Sequence, residues 1–435
     1  MKTLSKSRFV SGVQCEKKLW YSYYRKDLQL PTDEQTQAIF DLGHQIGNLA
    51  QNRFPNGKDA TPEDFSDFSP SIEKTKLWIA EKVETIYEAT FTAKNALCML
   101  DILHRMNDEI WAIEVKNSTS VKDYHLTDAS LQYFVMKEAG YAPDKFFLMH
   151  INNQYIKNGE LTDEFFHLED ITDKVLSKQT WVEENLERLL VMLENKQEPN
   201  VSIGAHCSSP FACDFVHHCW KHIPENSVFE LYRGGNKAWE LYEQGILKIE
   251  DIEDDFPLTH FQHLQRKGLR NQEQYINKEA IKNMISSWQF PLYFFDFETV
   301  FPAIPVLDGT RPYQQVPFQY SLHILEEDGK LSHKEFLAHP EDFSNGKNPL
   351  KLLVEQLKQD FGTDGNIVTY NQSFEVARLN ELANMFPEDA PFLKNLVSRV
   401  VDLLPVFQGG FFCFYLGGIS VYSSRFFSVI TSRIT

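Results

Sequence analysis

Apolar positions recur at helical spacing over residues 33–54, where Ile39, Phe40, Leu42, Ile46 and Leu49 fall on one side. The turn-rich, acidic FPNGKDATPEDFSDFSPS that follows reads as a loop, and a helix is expected over about 70–88. The period then changes. ATFTAKNALCMLDILHRMNDEIWAIEVKN carries short apolar runs that predict two or three strands, with a turn at Met106–Glu109. A helix over about 123–140 stops at Gly140, KFFLMHIN (145–152) reads as a buried strand, and a polar helix over about 174–196 leads to HCSSPFACDFVHHCW. Helices, strands, a helix and a strand in that order give an α/β pattern. Residues 223–289 hold short helical stretches broken at Gly234-Gly235, Gly245 and Gly268, and read as a helical connector. PLYFFDFETV (291–300) opens a second α/β unit, with further strands at VPFQYSLHIL, KEFLAHP and NIVTYN and helices over 349–361 and 374–386.

Composition narrows the class. The 435 residues suffice for about two to four domains, and 42% hydrophobic with 24% charged residues excludes wholesale disorder. No uncharged apolar run reaches the ~18 residues that span a bilayer. The N-terminal MKTLSKSRFVSG has charge without an apolar stretch, so no secretory signal is read. A cytoplasmic protein with no membrane partner is expected. The net charge of −18 argues against non-specific coating of nucleic acid but permits a local basic patch. Residues 1–26 offer one: Lys17, Lys18, Arg25 and Lys26 interleave with Trp20 and Tyr21, a composition suited to phosphates and base stacking. The competing reading is an amphipathic helix with core aromatics and solvated lysines. Six cysteines are too sparse for a disulfide scaffold, which implies a reducing compartment. The tail from Gly409 to Thr435 has two charges, Arg425 and Arg433, and no acid. It reads as out-of-frame translation after a frameshift near codon 408, although a natural apolar element is the other reading.

Three constellations carry chemistry. In the first, Asp101 sits in the apolar strand LCMLDIL, and the returning strand IWAIEVK puts Glu114 and Lys116 on one face. Carboxylates in apolar strands are costly unless neutralised. A divalent cation, Mg²⁺ or Mn²⁺, can do this and then activate water against a phosphodiester. Lys116 can orient that water or help deprotonate it. The alternative is a surface Glu114–Lys116 ion pair. The D-(x)12-E-x-K spacing, followed by a helix with Gln132-Tyr133, resembles the PD-(D/E)XK nuclease superfamily, in its RecB-like branch. The resemblance implies metal binding by Asp101 and Glu114, catalysis by Lys116, and orientation of the lysine and water by Gln132. The branch's Gly-x-x-x-His element, whose His is a metal ligand, falls at FDLGHQIGNLA. There Gly47 stands at the His position and His44 is offset from it.

In the second, Cys207, Cys213 and Cys219 follow a C-x5-C-x5-C spacing, and Cys15 in GVQCEKKLWY is the fourth thiol for a four-ligand site. Four thiolates bind an iron–sulfur cluster or zinc. Any of His206, His217, His218 and His222 could replace one Cys around zinc. This layout is similar to that of the CRISPR-associated RecB-like exonucleases and the AddB nuclease subunit. There an N-terminal Cys joins three later ones around a [4Fe–4S] cluster, so the resemblance implies that cluster, with zinc as the second choice. It would staple segments far apart in the chain. Buried free cysteines are the plain alternative.

In the third, FFDFET places Asp296 and Glu298 on one strand face, where two carboxylates can bridge metal ions. This resembles the first motif of DnaQ-like exonucleases of the RNase H-like fold. IVTYNQSFEVARL, with Asn371, resembles the second, Glu375 standing for the usual Asp as a metal ligand. VVDLLPVF, with Asp402, resembles the segment that follows. The residues that would complete the site fall in the tail, which has no acid or histidine, so this unit is expected to be inert. The expected architecture is α/β. A RecB-like PD-(D/E)XK restriction-endonuclease-like core with the Cys cluster spans 1–222, a connector 223–289, an incomplete DnaQ-like domain 290–408 and the aberrant tail 409–435. The whole resembles a bacterial family of fused nucleases. It implies a metal-dependent DNA nuclease acting on single-stranded or end-bearing DNA, against a nucleic-acid-binding adaptor with inactive domains.

Overall fold

The change from helical to alternating spacing after residue 80 is where the central sheet begins. A computed structural model of the chain describes residues 2–273, 275–343, 347–405 and 411–412. They fall into two compact units of mixed α/β structure: Met1–Lys221 with Ala303–Tyr313, and His222–Pro302 with Gln314–Thr435.

In the first unit, helices α1 (Lys6–Gln14), α2 (Glu16–Tyr24), α3 (Glu34–Gln51) and α4 (Ser69–Ala80) precede strands β3 (Thr85–Ala93), β4 (Ala96–Met106) and β5 (Glu109–Lys116). Helix α5 (Asp123–Glu138) then crosses over to β6 (Lys145–Ile151), which is followed by β7 (Phe166–Asp170). Helices α6 (Thr172–Leu176), α7 (Gln179–Glu194) and α8 (Val216–Cys219) come last, and the two-residue strands β1 (Leu4–Ser5) and β2 (Lys58–Asp59) complete the sheet. Its order is β2-β3-β4-β5-β6-β7, with β1 also paired to β4. The helix expected over 70–88 is shorter, because Lys82 adopts φ 58° and the β-branched Thr85 and Ile86 already belong to a strand.

Helix α5 is apolar around most of its circumference. Ala129, Leu131, Phe134, Val135 and Met136 are all buried, in one cluster with the sheet residues Leu100 and Ala112 and with Leu186 and Leu189 of α7. Opposite, Ile46 of α3 packs in a second cluster with Ile102, Ile113 and Met149. The sheet is thus covered on both faces, as parallel crossover connections require.

Strand β4 changes neighbours along its length. Its start pairs in parallel with β1 (Leu4↔Ala96, Ser5↔Leu97), while its end pairs antiparallel with β5 from Ile102↔Ile113 to Met106↔Glu109. Between those ladders the strands fork, and the candidate site lies at the fork.

The second unit begins with helices α9 (Asn236–Glu243) and α10 (His260–Asn271), β8 (Tyr275–Ile276) and α11 (Lys278–Ile285). Its sheet comprises β9 (Leu292–Val300), β10 (Val316–Leu325), β11 (Leu331–Leu337), β12 (Asn366–Thr369) and β13 (Val400–Asp402), in the order β11-β10-β9-β12-β13. Helices α12 (Pro349–Asp360), α13 (Ser373–Met385) and α14 (Ala390–Ser398) accompany it. Of the tail from Gly409, only the strand β14 (Phe411–Phe412), antiparallel to β8, is among the described residues. Among the described residues no helix is long and apolar enough to cross a membrane.

Candidate active site

Glu88 and Asp101 mark a shared irregularity in neighbouring strands. Glu88 adopts φ 54°, an unusual conformation for a residue with a side chain. The β3–β4 register passes from Tyr87↔Ile102 to Ala89↔Leu100, leaving Glu88 and Asp101 opposite one another without a ladder pair. Side-chain alternation is reset there. Ile86 and Ala89 share the cluster under α5, as do Leu100 and Leu103, whereas each pair would face opposite ways in an unbroken strand. Because β4 and β5 have parted at this point, the Val115 N–H has no β4 carbonyl to meet. It donates instead to Asp101 Oδ2 at 2.6 Å.

Glu114 and Lys116 lie two residues apart on the face toward α5. Lys116 Nζ donates to Glu114 Oε1 at 2.7 Å and to Asp128 Oδ2 of α5 at 2.6 Å. Gln132, one turn further on, donates from Nε2 to Asp128 Oδ1 at 3.4 Å. Gln132 therefore bears on Lys116 through Asp128, not directly. A second ammonium arrives from the first residue of α1: Lys6 Nζ is 2.8 Å from Glu114 Oε1 and 3.1 Å from the Met99 carbonyl oxygen. Glu114 is 1% exposed and Gln132 fully buried, yet Glu114 Oε2 and Gln132 Oε1 have no partner. Buried polar atoms left unpaired are costly, and here they border a cluster of carboxylates.

The charges sort the acids into two kinds. Burial, then the charge of Glu114, pushes Asp101 up to about 7. Burial and the charge of Asp101 push Glu88 up to about 8. Glu114 goes the other way: burial disfavours its charge, but Lys116 and Lys6 outweigh it and hold the carboxyl well below the usual range. Burial likewise opposes the Lys116 charge, and Asp128 and Glu114 more than compensate, so Lys116 stays a firmly held ammonium. An ammonium so held can orient a neighbouring group but is poorly placed to take up a proton. Two elevated carboxyls beside one anchored carboxylate form a set that a divalent cation would neutralise.

The structure thus brings Asp101, Glu114, Lys116 and Gln132 together and adds Glu88, Lys6 and Asp128, which sequence reasoning missed. Glu88 had a signal, since it interrupts the apolar run TIYEATF as Asp101 interrupts LCMLDIL. Asp128 had a weaker one, a helix position one turn before Gln132. Lys6 belongs to the basic run of residues 1–26, but nothing in the sequence ties it to the acids, because a two-residue strand pairing places it. His44 is exposed on α3.

The four cysteines also converge. Cys15 separates α1 from α2 in an extended conformation, and it lines one cavity with Cys207, Cys213 and Cys219. Burial raises Cys213 to about 11, and the neighbouring Cys15 and Cys219 add to the shift. Gln14 ties the end of α1 to this region by donating to the carbonyls of His206 and Phe211, both at 2.7 Å. Of the four histidines considered for a zinc site, His206 alone lines the cavity. Among the described residues no group of three or more His, Cys, Asp or Glu side chains, at the cysteine cavity or at the β4 fork, is placed to hold a metal ion as it stands.

The basic and aromatic residues of 17–26 have tasks within this unit. Trp20 is 8% exposed and Tyr21 2%, in one cluster with Cys213 and Phe215, so their rings are packed in the core and not presented for base stacking. Lys18 is buried, and it and Lys17 line the cysteine cavity. Lys17 also pairs with Glu198 at 3.1 Å, and Arg25 with Asp27 at 2.9 Å. Lys26 is exposed.

In the second unit, Asp296 and Glu298 project from β9 and Glu375 from α13. Burial raises Asp296, which also hydrogen-bonds Glu375. Burial raises Glu375 to about 7. Asp402 is committed elsewhere: its Oδ1 accepts the Asn371 and Leu404 N–H groups at 2.9 and 2.8 Å.

Comparison with known proteins locates the second unit. A domain of unknown function (DUF2779) matches residues 293–425. The uncharacterized protein MG366 of Mycoplasma genitalium is 29% identical over 120 residues, covering 26% of this chain and 18% of that protein. The MG366 homolog of Mycoplasma pneumoniae is 32% identical over 121 residues, with the same coverage. The uncharacterized protein UU173 of Ureaplasma parvum is 29% identical over 136 residues, covering 30% and 19%. The matches thus span less than a fifth of the length of these curated relatives. A solved structure described as "Crystal structure of SSO0001" is similar over 50% of this chain and 86% of that one, at 14% identity and a TM-score of 0.26.

Proposed function

We propose that the first unit is a metal-dependent nuclease of the PD-(D/E)XK type that hydrolyses phosphodiester bonds in single-stranded or end-bearing DNA. The observation that carries this reading is the buried set at the β4 fork: Glu88, Asp101 and Glu114 against Lys116, with Glu114 Oε2 unpartnered. Asp101 and Glu114, with Glu88 beside them, would hold Mg²⁺ or Mn²⁺. Bound there, the cation supplies a Lewis acid for the phosphate and a water ready to ionise. Lys116 orients that water from its fixed place between Glu114 and Asp128, and Gln132 steadies Asp128. Helix α5 and the sheet keep the cluster largely out of bulk water, which strengthens every charge interaction within it.

The shared lining of the cysteine cavity supports a thiolate-bound metal there. Four sulfur donors line it, and Lys17 and Lys18 supply positive charge where thiolates would accumulate negative charge. We read it as a [4Fe–4S] site, with zinc as the alternative. The second unit is read as an RNase H-like, DnaQ-like domain lacking part of its catalytic set.

The test is anaerobic purification of the full chain, metal analysis, and cleavage of end-labelled single- and double-stranded DNA with Mg²⁺ or Mn²⁺. Cleavage that chelator abolishes and Lys116→Ala suppresses supports the reading. Undiminished cleavage by Lys116→Ala would move the active site elsewhere, and no cleavage by iron-replete protein would leave a binding protein.

A further inference from the structure

Two ammonium groups bind one oxygen of Glu114, and they are not equivalent. Lys116 is anchored twice, by Glu114 at 2.7 Å and Asp128 at 2.6 Å. Lys6 has one acidic partner, Glu114 at 2.8 Å, supplemented by the Met99 carbonyl oxygen at 3.1 Å. An ammonium has three donors, so these two bonds do not use its capacity. Its side chain is 27% exposed, whereas the carboxylate it holds is 1% exposed. Lys6 therefore links the buried acid to the outside of the fork through a long, flexible stem. One ammonium is enough to balance Glu114, and Lys116 already provides it. Meanwhile Oε2 of the same carboxylate, buried and unpartnered, remains open to another cation.

Resting on the nuclease reading above, the geometry points to Lys6 as a phosphate-binding residue held in reserve: it occupies Glu114 until a divalent cation takes that carboxylate, then turns to a non-bridging oxygen of the nucleic-acid backbone. The physical ground is mutual repulsion. An ammonium and a dication on one carboxylate lie within a few ångströms of each other, where the low-dielectric surroundings screen them poorly. Lys116 keeps Asp128 when the cation arrives. Lys6 feels Asp101 and Asp128 at longer range but, among the described residues, has no second acid at hydrogen-bond distance, and the nearest anion a substrate brings is its phosphate. The pairing of β1 with β4 fixes the residue's backbone at the fork, so only the side chain need move.

The experiment uses the full chain stripped of divalent ions. Mn²⁺ affinity is read by electron paramagnetic resonance, and binding of a fluorescein-labelled oligothymidylate in Ca²⁺ by anisotropy. Lys6→Gln is expected to tighten Mn²⁺ and weaken the oligonucleotide, each by about tenfold. Lys6→Arg is expected to retain oligonucleotide binding, and it carries the test if Lys6→Gln does not fold. A merely structural counter-ion would leave Mn²⁺ affinity unchanged or weaker in Lys6→Gln and oligonucleotide affinity unchanged. Either that result or loss of oligonucleotide binding in a folded Lys6→Arg overturns the proposal. Glu114→Gln separates the two levels. If it abolishes Mn²⁺ binding while Lys6→Gln changes nothing, only the role of Lys6 falls. If Mn²⁺ binding ignores Glu114→Gln, the nuclease reading falls and takes this one with it.

Discussion

At the scale of the residue, the site is a problem in burying like charges. Asp101 and Glu88 keep protons at pH values where an unfolded chain, with carboxyls near ~4, has released them. The folded state then binds more protons than the unfolded state, so stability of the metal-free protein falls as pH rises from about 4 to about 8. Glu114, with its lowered pKa, acts in a different window: its contribution is lost only as pH falls below about 4.5. Thermal melts of metal-free protein should therefore show a midpoint that declines between about pH 5 and pH 8, and Mg²⁺ or Mn²⁺ should restore it at the upper end. Asp101→Asn should flatten the decline without abolishing it, because Glu88 and Glu375 add to the same slope. A profile that is level across this window would mean the acids are solvated. Lys116→Ala should lower turnover by at least about 10²-fold, the scale of one positioned charge at a reacting phosphate. Single-turnover and binding assays together should place that loss in the chemical step. Glu114 and Lys116 were legible because strand alternation is strict over two residues, and Asp101 because a carboxylate interrupts the apolar run LCMLDIL. Asp128 and Lys6 were not, since their positions depend on packing between segments far apart in sequence.

At the scale of the element, α1 joins two sites. Lys6 at its start reaches the carboxylates, and Cys15 just past its end lines the cysteine cavity. The helix is only nine residues long, too short to hold its shape alone. Its ends depend on what they touch. If the cysteine cavity holds the proposed metal, its loss should loosen α1 and disturb Lys6. Cys15→Ser is expected to lower bound iron, speed amide exchange over residues 8–14, and reduce cleavage, although Cys15 touches none of the acids. Cys98→Ser is the matched control, being a fully buried thiol in the α5 cluster with no place in the cavity. Full iron content and native exchange in Cys15→Ser would show that Cys15 is not a ligand and that α1 does not depend on the metal, and stoichiometric zinc in place of iron would exchange one metal for the other. Of the two readings the sequence allows for residues 1–26, the amphipathic helix matches the structure, but not as one helix, since it breaks at Cys15; the strands were expected but not their fork. Both features arise where hydrogen-bond partners change along the chain, and periodicity does not record partners.

At the scale of the whole molecule, the order of units along the chain is simple, but their composition is not. The sequence places residues 290–408 in one C-terminal domain. In the structure, Ala303–Tyr313, between β9 and β10, belongs with the first unit. Its pattern explains why the segment escaped notice: FPAIPVLDGTRPY has prolines at irregular spacing and neither helical nor strand period. It nonetheless buries Ala303, Leu307 and Thr310, and Ala303 packs in the cluster of Ile46, Ile113 and Met149. Polar contacts fix it as well. Asp308 Oδ1 accepts from Lys157 Nζ at 2.6 Å and from the Gly159 N–H at 3.1 Å, the Lys157 N–H donates to the Thr310 carbonyl at 3.0 Å, and the Tyr313 hydroxyl donates to the Asn117 carbonyl. Asn117 follows Lys116 directly, so the segment braces the end of β5, the strand that carries Glu114 and Lys116. A chain shortened to residues 1–221 would contain every residue of the proposed nuclease site and all four cysteines, yet lack this brace. Exposing the surface that Ala303, Leu307 and Tyr313 cover costs on the order of a few kcal/mol. For a unit of this size that lowers the melting midpoint by roughly 5–10 °C. The shortened chain is therefore expected to melt below the first unit of the full chain and to cleave more weakly at equal iron content. Supplying residues 300–316 as a peptide should recover part of both losses. Equal melting and equal cleavage would show that 1–221 folds and works without the segment.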